Sequence, residues 1–244
     1  MNTRSIFIDN EQRPLRIGIV GSSGGSVFAE TRQILEASGS GRYEYVVATD
    51  RPCGLEELCA QCALPHRRIE QGHNADFSCV ARRFFAEQGG VDFVLLFFLR
   101  LVTEELFETY PTFNIHPSLL PAFRGLQPLK KALQERVRFL GATLHLVTAD
   151  VDAGPIVAQT VMPIRTGETQ ERLGKYSFIQ KVYLSLLLVE LIERDALRLT
   201  ERNRDVCLAD LPFTDRCNPA LQRPEWVEGV LRLQEREGVE VIRV

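Results

Sequence analysis

Short apolar segments alternate with helical segments along the first hundred residues, and this alternation constrains the fold more than any other feature. The run from Val91 to Phe98 is almost continuously apolar, as expected for a central parallel strand buried on both faces. Further strands are predicted at residues 15–21, 43–49 and 66–70, and helices at residues 26–37, 54–63 and 77–88. Because strands that alternate with helices form a parallel sheet covered on both faces, we predict an α/β fold with a doubly wound, Rossmann-like sheet.

The second half of the chain predicts a less regular order of elements. Thr112–His116 is a strand that ends in a turn rich in Pro and Leu. It is followed by a helix at residues 127–137, two strands within residues 141–164 and a long helix at residues 169–194. No linker-like segment divides the two halves, so we expect one domain over residues 1–205. Residues 206–244 then form a small C-terminal extension, which could be a packed tail or an element of a homodimer.

Charge and hydropathy exclude several classes of partner. The formal net charge is -3 at pH 7, so no basic surface is expected that would bind nucleic acid or an anionic membrane. The longest apolar run is interrupted by Asp92 and ends at Arg100, which is too short for a membrane span. We therefore expect a soluble globular protein of the cytoplasm.

The six cysteines invite a test for a metal or redox site. Cys59 and Cys62 form a C-x-x-C pair, and Cys53 lies close by. A structural zinc site usually needs a second pair of ligands at similar spacing, and the sequence has none. The same segment also fits an amphipathic helix on which cysteines pack as small hydrophobic residues. We therefore expect no metal.

A glycine-rich turn follows the first predicted parallel strand. Its candidate substrate-binding residues are Ser23, Gly24, Gly25 and Ser26. Such a turn leaves backbone N–H groups free at a helix N-terminus, where a phosphate or carboxylate can bind. The spacing matches neither the dinucleotide-binding motif nor the P-loop. The alternative is that the glycines only allow a tight turn, and the sequence leaves both interpretations open.

Three polar residues are candidates for catalysis. Asn114 and His116 lie two residues apart on one strand, so their side chains point to the same face, near the carboxyl end where α/β sheets bind ligands. An Asn amide can donate to an oxyanion, and a His can accept a proton when a carboxylate is near. Asp152, in the loop TADVDAGP, is the candidate carboxylate. Each residue could also have a structural role, such as an Asx turn at the aspartate.

The segments NIHPSLLPAFRG and GATLHLVTADVDAGPIV resemble those of the formyltransferase family that uses 10-formyltetrahydrofolate. Within it, the phosphoribosylglycinamide (glycinamide ribonucleotide) formyltransferases are the most similar group. The resemblance extends from about Leu15 to Leu199 and is strongest between Asn114 and Pro163. An Asn-x-His pair followed by an Asp-x-Gly-Pro turn is a highly specific combination.

The resemblance implies an enzyme in which an amine attacks the formyl group on N10 of the folate. Asn114 and His116 match the catalytic pair, and Asp152 matches the catalytic carboxylate. The folate, as cosubstrate, would contact residues at the end of the apolar strand and in the Asp/Gly-rich loop. These cofactor-binding candidates are Leu99, Arg100, Leu101, His145, Val147, Ala149 and Asp150. For His145, an ordinary packed position on a strand is the alternative.

Three departures from the family pattern concern the amine acceptor. The glycine loop lacks the Asn that helps to hold the ribose phosphate in the glycinamide enzymes. An ungapped alignment on Tyr183 places Ile179 where those enzymes have a Glu, and Phe97 replaces a Gly. We therefore expect a small-molecule amine other than glycinamide ribonucleotide, such as an ornithine-type, natural-product or amino-sugar amine.

Two other functions remain open at the level of the sequence. Formyltetrahydrofolate hydrolase has the same three catalytic residues, although it usually carries an N-terminal regulatory domain and only about fourteen residues precede the first predicted parallel strand here. A folate-binding protein without turnover is the second alternative. Retention of a buried His–Asp pair argues against it, because such a pair is costly to desolvate.

Overall fold

The structure, a computed structural model, describes residues 3–7, 13–39, 42–200 and 205–242. The strands are β1 (Thr3–Ser5), β2 (Leu15–Gly21), β3 (Tyr43–Thr49), β4 (His66–Arg68), β5 (Phe93–Phe97), β6 (Thr112–His116), β7 (Phe139–Leu146), β8 (Ile156–Pro163), β9 (Leu197–Thr200), β10 (Val206–Leu208) and β11 (Cys217–Asn218). The helices are α1 (Ser26–Ala37), α2 (Gly54–Gln61), α3 (Asn74–Glu87), α4 (Glu104–Phe107), α5 (Pro128–Gln134), α6 (Gln170–Glu193) and α7 (Pro224–Glu237).

The main sheet has the strand order β11-β8-β7-β6-β5-β2-β3-β4. Strands β2 to β6 pair in parallel, whereas β7, β8 and β11 pair antiparallel to their neighbours. Helices connect the parallel strands, as the alternating sequence pattern predicted. The predicted α/β class, a mostly parallel Rossmann-like sheet flanked by helices, is therefore confirmed.

The order of the parallel strands reverses between β2 and β5. From β2 the chain moves outward to β3 and β4, and it then returns to the other side of β2 to form β5 and β6. Open α/β sheets bind their ligands in the crevice at the carboxyl ends of the strands where such a reversal occurs. The glycine loop after β2 and the loop after β5 both lie at this reversal.

Two apolar clusters cover the two faces of the sheet. The larger one joins α1, α6 and α7 to strand residues such as Phe113 and Ile115. The smaller one joins α3 and α4 to strand residues such as Leu96. Helix α6 is buried along most of its length, because the sheet, α1 and α7 all pack against it. No described helix is both long enough and apolar enough to cross a bilayer.

The C-terminal extension packs against the rest of the chain. β11 pairs with β8 at the edge of the main sheet, and α7 contacts α1 and α6. β10 pairs with β9, which also pairs with β1 in a small antiparallel sheet. Trp226 of α7 is fully buried, and its indole Nε1–H donates to the Ser38 hydroxyl at 3.0 Å. The division at residue 205 and a homodimer stay predictions.

Candidate active site

Strands β6 and β7 bring the first polar side chains together. Phe113 and Ile115 point into the larger apolar cluster, so Asn114 and His116 point to the opposite face of the sheet. In the antiparallel register between β6 and β7, Asn114 lies directly opposite His145. This strand pairing therefore fixes an amide beside an imidazole on the face that carries the smaller apolar cluster.

The loop between β7 and β8 folds back over this face and places Asp152. Val147 N–H donates to the carbonyl of Thr112, which attaches the start of the loop to β6. Asp152 itself has a φ of 48°, a conformation that few non-glycine residues adopt. At Gly154 a Cβ atom would lie 1.9 Å from the Leu146 carbonyl oxygen, so only glycine allows the chain to pass there.

Asp152 lies at the centre of a compact polar cluster. Its Oδ1 atom is 3.4 Å from Asn114 Nδ2 and 3.5 Å from His145 Nε2. Asn114 Nδ2 is in turn 3.2 Å from His145 Nε2. Asp152 Oδ2 accepts a hydrogen bond from Gly125 N–H at 2.9 Å and lies 3.3 Å from His116 Nδ1. The three residues that the sequence selected as catalytic are thus in mutual contact through Asp152.

His116 is held at both ring nitrogens. Its Nε2 is 2.8 Å from the carbonyl oxygen of Phe123, so Nε2–H donates there, and Nδ1 faces the Asp152 carboxylate. Burial lowers the pKa of His116 below its ordinary value, although the Phe123 carbonyl and the Asp152 charge both act to raise it. A lowered pKa keeps the ring neutral near neutral pH, which is the form that can accept a proton.

Asp152 is held in its charged form. Burial alone would raise its pKa, but the hydrogen bond from Gly125 N–H and the positive charge that His116 carries when protonated lower the pKa below its ordinary value. The side chain is only 11% exposed, so few water molecules compete for the carboxylate. An amide donor, a neutral imidazole and an ionised carboxylate at the edge of a cleft are suited to stabilise an oxyanion and move one proton.

The loop after β5 borders this cluster. Phe98 and Val102 of this loop pack in the smaller apolar cluster, and so does Val147 of the β7–β8 loop. Between these anchors, Leu99 is 62% exposed and Leu101 is 50% exposed. Exposed apolar side chains beside a polar cluster are typical of an open ligand cleft. Ala149 and Asp150 are also exposed, in the loop that carries Asp152.

The Arg100 side chain is turned away from the polar cluster. Its guanidinium donates to the Asn74 amide oxygen and to the carbonyls of Gln71 and Gly72, and it lies 3.8 Å from Asp50. A folate contact by Arg100 would therefore come from its main chain, as the family resemblance implies. Its side chain holds the loop before α3 against the loop after β5.

The glycine loop opens α1 at the same end of the sheet. Ser23, Gly24 and Ser26 are exposed, whereas Gly25 is buried with a φ of 75° at the N-cap. The first intrahelical hydrogen bond runs from Ala29 N–H to the Gly25 carbonyl, so the N–H groups before it have no partner within the helix. The loop can thus accept an anion, as well as make the turn.

Ser22 connects the glycine loop to the loop after β5, a role that the sequence did not indicate. Its hydroxyl oxygen accepts from Leu99 N–H at 3.3 Å, and its N–H donates to the Phe97 carbonyl at 3.2 Å. The hydroxyl also donates to Asp50. Burial would raise the pKa of Asp50, but hydrogen bonds from Arg51 and Ser22 lower it below its ordinary value. A serine within a Gly/Ser-rich turn carries no sequence signal of such a role.

Two of the positions that depart from the family pattern are apolar and pack in the larger cluster. Ile179 is fully buried, and Phe97 is partly buried against the larger apolar cluster. Lys181 lies two residues further along α6, is partly buried, and has no ion pair or side-chain hydrogen bond within the described parts of the chain. Burial lowers the pKa of Lys181, and its positive charge in turn lowers the pKa of His116.

The cysteines are free thiols. Burial raises the pKa of Cys59 to about 11, and the Cys62 sulfur lies 2.8 Å from Arg32 Nη1. Both lie on or next to α2, which is helical as its spacing predicted. Over residues 3–7, 13–39, 42–200 and 205–242, no group of three or more His, Cys, Asp or Glu side chains could hold a metal ion.

Comparison with known proteins assigns the chain to a protein family. The sequence model of a family described as formyl transferase matches residues 22–182, about two thirds of the chain and all of the polar cluster. The chain belongs to the formyl transferase family. The match begins in the glycine loop and ends within α6, so every candidate site residue of the sequence lies inside the formyl transferase region.

Relatives of the formyl transferase family cover different parts of the chain. Chloroplastic phosphoribosylglycinamide formyltransferase of Arabidopsis thaliana is 31% identical over 183 residues, which are 68% of this chain and 61% of that protein. The chain thus matches less than two thirds of that relative. Formyltetrahydrofolate deformylase of Bacillus subtilis is 38% identical over 90 residues, or 36% of this chain and 30% of that protein.

A solved structure supports the formyl transferase fold. Glycinamide ribonucleotide transformylase 1 from Symbiobacterium toebii superposes with a TM-score of 0.72 at 29% sequence identity. The superposition covers 81% of this chain and 95% of that protein. The predicted formyltransferase fold is therefore confirmed.

Proposed function

We propose that this protein transfers a formyl group from 10-formyltetrahydrofolate to a primary amine or hydroxylamine of a small-molecule acceptor. The observation that carries the proposal is the contact of one carboxylate, Asp152, with both Asn114 and His116. These are the donor, proton acceptor and carboxylate that acyl transfer to an amine requires. The family match and the relatives named for formyl transfer support the same reaction.

The proposed reaction proceeds by direct attack. The amine nitrogen forms a bond to the formyl carbon, and the carbonyl electron pair moves onto oxygen to give a tetrahedral oxyanion. The oxyanion then collapses, the bond from carbon to folate N10 breaks, and N10 takes the proton that the amine loses. Formyl-amine and tetrahydrofolate are the products.

Each polar residue has a role in these steps. Asn114 donates an N–H to the oxyanion, which stabilises charge that develops only in the transition state. His116 accepts the amine proton at Nδ1, where Asp152 Oδ2 lies 3.3 Å away and stabilises the resulting imidazolium. His116 then returns the proton to N10. The low pKa of Asp152 keeps this carboxylate charged throughout.

The loops around the cluster provide places for the two substrates. The folate would lie along the loop after β5 and the β7–β8 loop, against main-chain groups and the exposed Leu99 and Leu101 side chains. The glycine loop would hold an anionic group of the acceptor with the free N–H groups at the start of α1. Because Ser22 joins these loops, the two substrates would be positioned relative to each other.

The acceptor that we propose is an amine other than glycinamide ribonucleotide. The buried Ile179 cannot make a polar contact to a ribose, and Phe97, which adjoins the glycine loop through the contact of its carbonyl with Ser22 N–H, adds a bulky apolar side chain. Ornithine-type side chains, amino-sugar nucleotides and other natural-product amines are the candidates.

An amine screen tests the proposal. The purified protein is mixed with 10-formyltetrahydrofolate and single amines, and formation of tetrahydrofolate is followed by absorbance. The panel contains ornithine, N-hydroxyornithine, an amino-sugar nucleotide and glycinamide ribonucleotide. We expect amine-dependent turnover with one of the first three, at a kcat/KM at least about tenfold above that for glycinamide ribonucleotide, a ratio that loss of one hydrogen-bonding contact can produce.

The outcomes separate the alternatives. Release of formate at the same rate with and without amine would make the protein a hydrolase, the function named for the Bacillus subtilis relative. Folate binding with no loss of the formyl group would make it a binding protein. Efficient turnover of glycinamide ribonucleotide would overturn only the proposed acceptor.

A further inference from the structure

His145 lies too deep to present a surface to the folate. It is 2% exposed on β7, and both ring nitrogens already contact protein atoms. Nδ1 is 3.1 Å from the Leu146 carbonyl oxygen, and Nε2 is 3.2 Å from Asn114 Nδ2. A carbonyl oxygen can only accept, so the Nδ1 atom must carry a proton. In the neutral ring, Nε2 then has a lone pair that faces Asn114 Nδ2, and Asp152 Oδ1 lies beside it at 3.5 Å as a second acceptor.

This arrangement determines which way the Asn114 amide faces. One Nδ2–H donates to His145 Nε2, and the other points to Asp152 Oδ1 at 3.4 Å. If the amide were turned over, its oxygen would face the imidazole lone pair and a carboxylate oxygen, which are both acceptors. Two acceptors, His145 on β7 and Asp152 in the β7–β8 loop, therefore hold the Asn114 amide in one orientation.

The two contacts differ in length, and the difference matters for the reaction. The 3.2 Å contact to His145 is the shorter, whereas the 3.4 Å contact to Asp152 is near the limit for a hydrogen bond. An incoming oxyanion can displace the longer contact and take that N–H. The bond to His145 would then keep the amide in place while its other hydrogen serves the substrate.

We propose that His145 is a positioning residue, which holds the Asn114 amide with its N–H toward the developing oxyanion, and that it does not bind the folate. This inference rests on the proposed function, since it assigns a role within the same reaction. It differs from the cofactor-binding role expected from the sequence. Three residues that match the family motifs supply the chemistry, and a fourth residue, on the neighbouring strand β7, keeps one of them correctly oriented.

Steady-state kinetics of His145→Phe and His145→Gln distinguish the two roles. Phe removes the acceptor, whereas Gln retains an oxygen that can accept from Asn114. We expect His145→Phe to lower kcat about 100-fold, the effect of losing one ordered oxyanion donor, with the folate KM within threefold of wild type. His145→Gln should recover at least about tenfold of that loss, because it restores an acceptor for the amide. His73→Gln, an exposed histidine at the start of α3, is the matched control.

A double-mutant cycle tests whether His145 acts through Asn114. When Asn114→Ala is already present, His145→Phe should reduce kcat no further, because there is no amide left to orient. Full additivity of the two losses would overturn the proposal. So would a rise of tenfold or more in the folate KM with kcat unchanged, which is the result for a folate contact. Thermal unfolding of each variant shows whether a lower kcat reflects loss of the fold.

Nitrogen-15 NMR of the imidazole rings tests the arrangement without any turnover. We expect the His145 signals, assigned by their loss in His145→Gln, to show a protonated Nδ1 and an unprotonated Nε2. A proton on Nε2 alone would overturn the proposal, because that ring cannot accept from Asn114. If the wild-type protein transfers no formyl group to any amine, the proposed function fails, and the NMR result still decides whether His145 orients Asn114.

Discussion

The two sides of the cleft are built in different ways. On the side of β6 and β7, Asp152 contacts both Asn114 and His116 through side-chain atoms. On the side of the glycine loop, the groups available to a ligand are main-chain N–H groups at the start of α1, and Ile179 of α6 is buried in the core. The contacts on the first side depend on which side chains are present, whereas those on the second depend on the backbone conformation of the glycine loop.

This difference indicates which residues would determine the chemistry of the proposed reaction and which would determine the choice of acceptor. Chemistry at the formyl group needs charges and donors at fixed positions, so it is concentrated in a few side chains. In the proposed reaction, selection of an acceptor would depend instead on the course of the glycine loop and on Phe97 and Ile179. A substitution should therefore affect kcat on the first side and the acceptor KM on the second.

The largest expected effect comes from Asp152→Asn. The substitution keeps the size of the side chain and removes the charge that would stabilise the His116 imidazolium in the proposed reaction, so we predict that kcat falls about 1000-fold or more. The measurement is formyl transfer under saturating substrates, with the thermal unfolding midpoint as a check of the fold. Glu228→Gln on the exposed face of α7 makes the same chemical change away from the cleft and serves as the control. Activity within tenfold of wild type would remove Asp152 from the catalytic group.

A smaller effect is expected on the other side of the cleft, from Gly25→Ala. Gly25 has a φ of 75°, and a Cβ atom there would lie 3.0–3.2 Å from Leu55 atoms, including its backbone Cα. The loop must then shift, and we predict that the acceptor KM rises about tenfold while kcat changes less than threefold, as for loss of uniform binding. Gly39→Ala, at the other end of α1, introduces the same backbone strain at a φ of 59° with no atom within 4 Å of the added Cβ. An equal rise in KM for both variants would show that strain, and not the position of the loop, is responsible.

The smallest effect is expected from Lys181→Met, which removes a positive charge on α6 that acts on His116. The positive charge of Lys181 lowers the pKa of His116, so its removal should raise that pKa. In the proposed reaction neutral His116 accepts the proton, so kcat/KM should fall as the pH drops through the pKa of His116. We predict that this acidic limb of the pH profile moves to higher pH in the variant. Lys130→Met on α5 removes an exposed positive charge that does not act on His116. If the acidic limb of the kcat/KM profile stays in place or moves to lower pH, the effect of the Lys181 charge on the pKa of His116 is contradicted.

Much of the fold could be predicted from the sequence, since its elements have strong local signals. The continuous apolar run of β5, the helical spacing of α3 and the long α6 each carry their own pattern, and the structure confirms them. The short strands β1, β9 and β10 have no such pattern. They are strands only because they pair with one another across almost the whole chain.

The same distinction applies to the candidate site. The spacing of Asn114 and His116 predicted that both face one side of β6, and the structure places them there. No local pattern could place His145 opposite Asn114, because their register depends on how β6 and β7 pair. The contacts to Phe123 and Gly125 are made by backbone atoms, so the identities of those side chains give no indication of them.

The hydrogen bond from His116 Nε2–H to the Phe123 carbonyl has a consequence for which sequence changes this segment can accept. The acceptor is a main-chain carbonyl, so the contact itself does not depend on the chemistry of the side chain at residue 123, although the φ of 55° there disfavours β-branched residues. An insertion or deletion between His116 and Gly125 would instead move the carbonyl and the Gly125 N–H together, releasing His116 and Asp152 at once. The length of this segment is thus under tighter constraint than its amino-acid sequence. Engineered libraries should vary its residues and keep its length constant.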